Sequence, residues 1–169
     1  MAVKKETGKT APAKTGKKKA AEKPAEKAPV KKAAAKKAGP RSEAVFISED
    51  DRYLFGQGTH YDIYKKLGAH VTEVGGTQGV FFAVWAPHAA AVHVIESFNG
   101  WNEDQYLMER EPESGIYTLF IKGVKEGDYY KFLIHTPSGE KLYKADPFAN
   151  YAEIRPGNAS RVYDLNHFE

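Results

Sequence analysis

The chain has 169 residues, no cysteine and a formal net charge of +3, which excludes a disulfide framework and any cysteine-ligated metal. That small net charge conceals two opposed parts: Met1 to Arg41 holds fourteen Lys and Arg against three Glu, while the rest holds eleven basic and nineteen acidic residues. No apolar run reaches the length of a membrane span or of a secretory h-region, so the chain is expected to be cytoplasmic.

Residues 1–43 are almost wholly Lys, Ala, Pro, Glu, Thr and Gly. They offer too few large apolar side chains to offset the entropy of ordering and are expected to be a disordered tail. A polycation of this kind can bind nucleic acid or another polyanion by releasing counterions, or it can serve only as a solubilising spacer.

Residues 44–76 read as a short helical lead-in. Ser48 followed by Glu49, Asp50 and Asp51 predicts a helix start, with a cap and three acids near the positive end of the dipole. Gly56 and Gly58 limit that helix to about two turns. A second short helix is expected from Asp62 to Leu67, closed by Gly68. Gly75-Gly76-Thr77-Gln78-Gly79 precedes a strand and not a helix, so it reads as a hairpin turn rather than a phosphate cradle.

From Gly79 the period becomes two. Strands are predicted near Val80 to Ala86, Ala91 to Glu96, Tyr106 to Glu109, Ile116 to Ile121, Tyr129 to His135, Lys141 to Lys144 and Arg161 to Leu165, separated by Gly, Pro and Ser turns. Val80 to Ala86 is apolar at every position, which requires cover on both faces and puts the strand near the middle of a sheet. Trp85, inside this run, is assigned to the core. Ala91 to Glu96 delivers Phe98, Asn99, Gly100 and Trp101 to a loop. About seven short strands at this spacing predict an all-β, immunoglobulin-like antiparallel β-sandwich over residues 77–145, with 146–169 a linker carrying a last strand.

Catalytic patterns are missing. The histidines, His60, His70, His88, His93, His135 and His167, lack the spacing of a helical zinc site, and no nucleophile elbow is present. No metal or cofactor is expected.

Several stretches carry a resemblance: Gly79 to Trp101, Glu113-Ser114-Gly115, Tyr130-Lys131-Phe132 and Lys144-Ala145-Asp146-Pro147-Phe148, with the preamble Phe55 to Tyr61 and Leu67 to His70. In this order they resemble the amino-terminal module of bacterial glycogen branching enzymes, a module of carbohydrate-binding family 48. The resemblance implies an immunoglobulin-like fold and a partner such as glycogen or another α-1,4-glucan. The family's catalytic residues sit on a (β/α)8 barrel of about 250 residues, which would begin about where this chain stops. No catalytic position matches, and the chain is expected to bind without catalysing.

A glucose ring has a face of C–H groups and a rim of hydroxyls, so a site needs a flat aromatic and fixed hydrogen-bonding groups. The resemblance matches Trp101 to a sugar-stacking tryptophan and Lys131 to a hydroxyl-contacting lysine. It sets Tyr143 where related glycogen-binding modules have a second tryptophan, and Asn158 is a further rim candidate. The competing roles are structural: Trp101 covering an edge, Lys131 as an ordinary exposed strand lysine, Tyr143 as packing. A stand-alone adaptor like the β subunit of the AMP-activated kinase, or a nucleic-acid-binding protein driven by its tail, are the alternative readings of the whole chain.

Overall fold

The computed structural model describes residues 46–165. The tail expected to be disordered lies outside the described residues. The first element, α1, spans Glu49–Gly56. Ser48 caps it in a reciprocal box: its hydroxyl accepts from the Asp51 N–H, and the Asp51 carboxylate accepts from the Ser48 N–H at 2.8 Å. Satisfying two orphan donors in this way stabilises a helix start by about 1 kcal/mol. Asp51 also meets His60 Nε2 at 2.7 Å and Lys66 Nζ at 3.4 Å, tying the helix to the segment after it. That segment is one 3-10 turn, Ile63–Lys65, where the sequence predicts a slightly longer helix.

Nine strands follow among the described residues. They are β1 (Gly68–Val74), β2 (Thr77–Trp85), β3 (Ala91–Glu96), β4 (Glu109–Arg110), β5 (Ile116–Lys122), β6 (Tyr129–His135), β7 (Lys141–Lys144), β8 (Tyr151–Ala152) and β9 (Ser160–Arg161). One antiparallel sheet has the order β1-β2-β5-β4, and the other runs β3-β6-β9-β8 with β7 also paired to β6. The architecture is the expected all-β antiparallel sandwich. Two strands, β1 and β8, lie outside the predicted set. In β1 the sequence Gly-Ala-His-Val-Thr-Glu-Val hides its period because its partner β2 is apolar on both faces and supplies the packing. Gly75 and Gly76 form the connecting turn with φ of 56° and 77°, the left-handed pair a two-residue hairpin requires.

Between the sheets lies a core that includes Val80, Phe82 and Val84 of β2, Val92 and Val94 of β3, and Tyr130 and Phe132 of β6. Burying each large side chain there stabilises the fold by about 1.5–3 kcal/mol. The outer face of the first sheet is covered as well: Phe81, Ala83 and Ile116 pack with Ile47, Leu67, Phe55 and Phe148. The lead-in is the lid that lets β2 be apolar on both faces from Val80 onward. Its cover thins out at Trp85, which is 53% exposed and, among the aromatic rings of the described residues, meets only Phe55, edge-on at 5.7 Å between centroids. The expectation that Trp85 is core is therefore wrong, because an odd-numbered position on β2 faces the lid and this one lies at the strand's thinly covered end.

The stretch read as a linker is pinned to the sandwich. The Tyr130 hydroxyl donates to the buried carboxylate of Asp146 at 2.6 Å, the Asp146 N–H donates to Ser160 Oγ at 2.8 Å, and the Phe148 N–H returns to Asp146 Oδ1 at 2.8 Å. This network closes the seam between β7 and β9, which share one side of β6 in two halves.

Candidate functional site

Residues of β6 alternate strictly. Tyr130 and Phe132 enter the core, so Tyr129, Lys131, Leu133 and His135 face outward. Antiparallel register then sets Ile95 of β3 beside Lys131, and Tyr143 of β7 beside Leu133. Although Leu133 and Ile95 point away from the core, both are buried. The loop after β3 reaches β7 on this side through Glu103.

This loop has a defined construction. A 3-10 turn, Ser97–Asn99, is followed by Gly100 and Trp101 with φ of 68° and 61°. Two successive left-handed residues reverse the chain, and a tryptophan in that region costs about 1–3 kcal/mol unless neighbours hold it. They do. The Trp101 N–H donates to the Glu96 carbonyl at 2.9 Å, and Asn99 Oδ1 accepts from the N–H of Asn102 at 3.2 Å and of Glu96 at 3.4 Å. On the far side Glu103 accepts from Lys141 and from the Tyr143 hydroxyl. Those two donors hold the Glu103 carboxyl below the usual range. The loop that carries the indole is thus braced at both ends, and the indole is 39% exposed.

Against it lies a cation. Lys131 Nζ sits 5.6 Å from the centre of the Trp101 ring, close enough for a cation–π attraction, and the same ammonium donates to Asn158 Oδ1. Trp101, Lys131 and Asn158, far apart in sequence, are brought together. Tyr143 is 50% exposed and joins them only indirectly, its hydroxyl bound to the carboxylate of Glu103 two residues beyond Trp101. The fold supplies a flat indole, an ammonium and an amide on one side, and a phenol with a carboxylate on the other. Sequence reasoning alone misses Glu103 and Asn99. Asn99 stands within the motif that carries the resemblance, and its place before Gly100 is the sort of position that favours a turn-forming side chain.

Glu96, at the root of the loop, is fully buried. Its side chain faces Asn99 across the turn in a capping arrangement, but neither carboxylate oxygen reaches ordinary hydrogen-bond geometry. Burial first, and the nearby Asp128 second, push its carboxyl up to about 8. Among the described residues no cluster of three or more His, Cys, Asp or Glu could hold a metal ion, and no helix is long and apolar enough to cross a membrane.

A two-sheet sandwich with an exposed, braced indole beside cationic and amide groups has the chemistry of a surface that recognises sugars. Residues 66–149 match the family described as Carbohydrate-binding module 48 (Isoamylase N-terminal domain), and the sandwich belongs to that family. Trp101, Lys131 and Tyr143 lie inside the matched range and Asn158 beyond it. The chain is 65% identical over 128 residues to the 1,4-alpha-glucan branching enzyme GlgB of Butyrivibrio fibrisolvens, covering 76% of this chain and 20% of that protein. It is 53% identical over 119 residues to the 1,4-alpha-glucan branching enzyme GlgB of Halothermothrix orenii, covering 70% and 19%. The chain thus spans about a fifth of the length of these relatives.

Proposed function

We propose that the sandwich binds α-1,4-glucan chains, glycogen among them, as the non-catalytic carbohydrate-binding module of a 1,4-alpha-glucan branching enzyme in glycogen biosynthesis. The observation that carries this reading is the pairing of Trp101 with Lys131 and Asn158. An indole stacks on the C–H face of a glucose unit, while the ammonium and amide exchange hydrogen bonds with its hydroxyls. Tyr143 and Glu103 contribute a second, smaller aromatic face and an acceptor at the margin. The similarity to branching enzymes supports the choice of sugar.

In this reading the module binds and does not itself break or transfer the chain. It works in the cytoplasm, a reducing compartment that a cysteine-free chain permits. An open surface with one or two platforms binds soluble glucan at roughly micromolar to millimolar affinity. The test is native electrophoresis through a gel containing glycogen. The parent is retarded and Trp101→Ala migrates freely, whereas equal retardation of the two removes Trp101 from the site. The parent also leaves the iodine staining of amylose unchanged.

A further inference from the structure

The outward face that carries Lys131 does not end there. Tyr129, two residues along β6, shares that face, and register continues the row: Tyr129 pairs with Arg161 of β9, which pairs with Tyr151 of β8. The three side chains form a ladder. Arg161 Cζ lies 5.9 Å from the Tyr129 ring centre and 5.4 Å from that of Tyr151, and Tyr163 stacks on Tyr151 at 5.6 Å with 28° between the planes. Cation–π and stacking contacts of this kind are attractive. Here they hold an aromatic on a two-residue edge strand that would otherwise swing freely. Tyr151 nevertheless remains 40% exposed. A ring held by its neighbours and open to solvent is a preorganised contact for a flat apolar surface.

The ladder is also continuous with the Trp101 site. Between β8 and β9 lies the turn that contains Asn158, and Asn158 is bound to Lys131, so one hairpin contributes to both. With strands about 4.8 Å apart and residues about 3.3 Å apart along each, Tyr151 stands about 12 Å from Lys131. That separation corresponds to a few sugar units of an extended chain, and the intervening surface is filled by Tyr129 and the guanidinium of Arg161.

We propose that Tyr151 and Arg161 form a second subsite, which takes the continuation of an α-glucan chain whose first unit stacks on Trp101. Tyr151 contacts the C–H face of a distal unit, and Arg161 supplies N–H donors to hydroxyls between the two rings. The module then discriminates by chain length. This inference rests on the glucan reading above and adds the length of chain the surface prefers.

The experiment is titration of the full chain with maltotriose and with maltoheptaose, followed by calorimetry, for the parent, Trp101→Ala, Tyr151→Ala and Tyr151→Trp. Tyr151→Ala is expected to weaken maltoheptaose about tenfold and to leave maltotriose unchanged, while Trp101→Ala weakens both. Tyr151→Trp, which retains a ring to stack on Tyr163 and enlarges the face, is expected to tighten maltoheptaose alone. If Tyr151→Ala binds both sugars as the parent does, or weakens both alike, the second subsite is overturned and the Trp101 site stands. The subsite is overturned equally if Tyr151→Ala does not fold and Tyr151→Trp shows no gain. A parent that binds neither sugar overturns the glucan reading itself, and the subsite with it.

Discussion

The backbone N–H of Trp101 donates to the carbonyl of Glu96 at 2.9 Å, so the loop that presents the indole closes on the last residue of its own strand. That single bond spans the two left-handed residues, Gly100 and Trp101. It couples the exposed platform to a carboxylic acid buried in the sandwich.

Asn99 completes the closure by accepting from the N–H groups of Asn102 and Glu96. Asn99→Ala removes the one oxygen that accepts both hydrogen bonds and leaves the left-handed turn to bear its own strain. We expect the sandwich to lose about 1 kcal/mol, the usual cost of deleting a capping side chain. Glycan affinity should fall more steeply than stability, because the indole loses its fixed orientation. Parallel urea titration and glycogen-gel retardation check this, and unchanged affinity would show that the loop is held elsewhere.

Glu96 makes stability depend on pH. Its folded carboxyl is raised to about 8 by burial and then by Asp128, so the folded state holds a proton that the unfolded chain releases from its ordinary carboxylate range upward. The contribution is fully present below that range and is lost as pH rises towards 8, at a slope of at most about 1.4 kcal/mol per pH unit. Urea unfolding between mildly acid and mildly alkaline pH should show the decline. Glu96→Gln, neutral throughout, should flatten it; a decline of the same size in that variant would assign it to another group.

Tyr130→Phe tests the seam. Its hydroxyl donates to Asp146, whose carboxyl is raised by burial and pulled back down by the Tyr130 hydroxyl and the Phe148 N–H. Removing the donor leaves a buried carboxylate short of a partner, at a cost of about 1–3 kcal/mol near neutral pH. The loss should shrink in acid, where Asp146 is protonated and carries no charge to solvate. A loss independent of pH would mean that the hydroxyl does not act through the ionised carboxylate of Asp146.

Local chemistry makes much of this protein legible from its sequence. The Ser48 cap, the Gly75-Gly76 turn, and strands β3, β5, β6 and β7 follow from side-chain type and period, which act over a few residues. The apolar run of β2 correctly demands cover on both faces. Likewise Trp101, Lys131, Tyr143 and Asn158 can be singled out as residue types suited to a sugar, the first three also by resemblance. Other features are decided by contacts between distant segments. Gly68–Val74 is a strand because β2 offers it an edge, and Trp85 is exposed because the lead-in covers it only with the edge of Phe55. Lys131 meets Asn158 only because β9 docks on the lower half of β6, and Tyr143 is tied to the Trp101 loop only because that loop crosses the sheet to bring Glu103 to β7. Periodicity states which face a side chain takes. What lies on that face depends on strand register and loop path, and those are set by the packing of the whole sandwich.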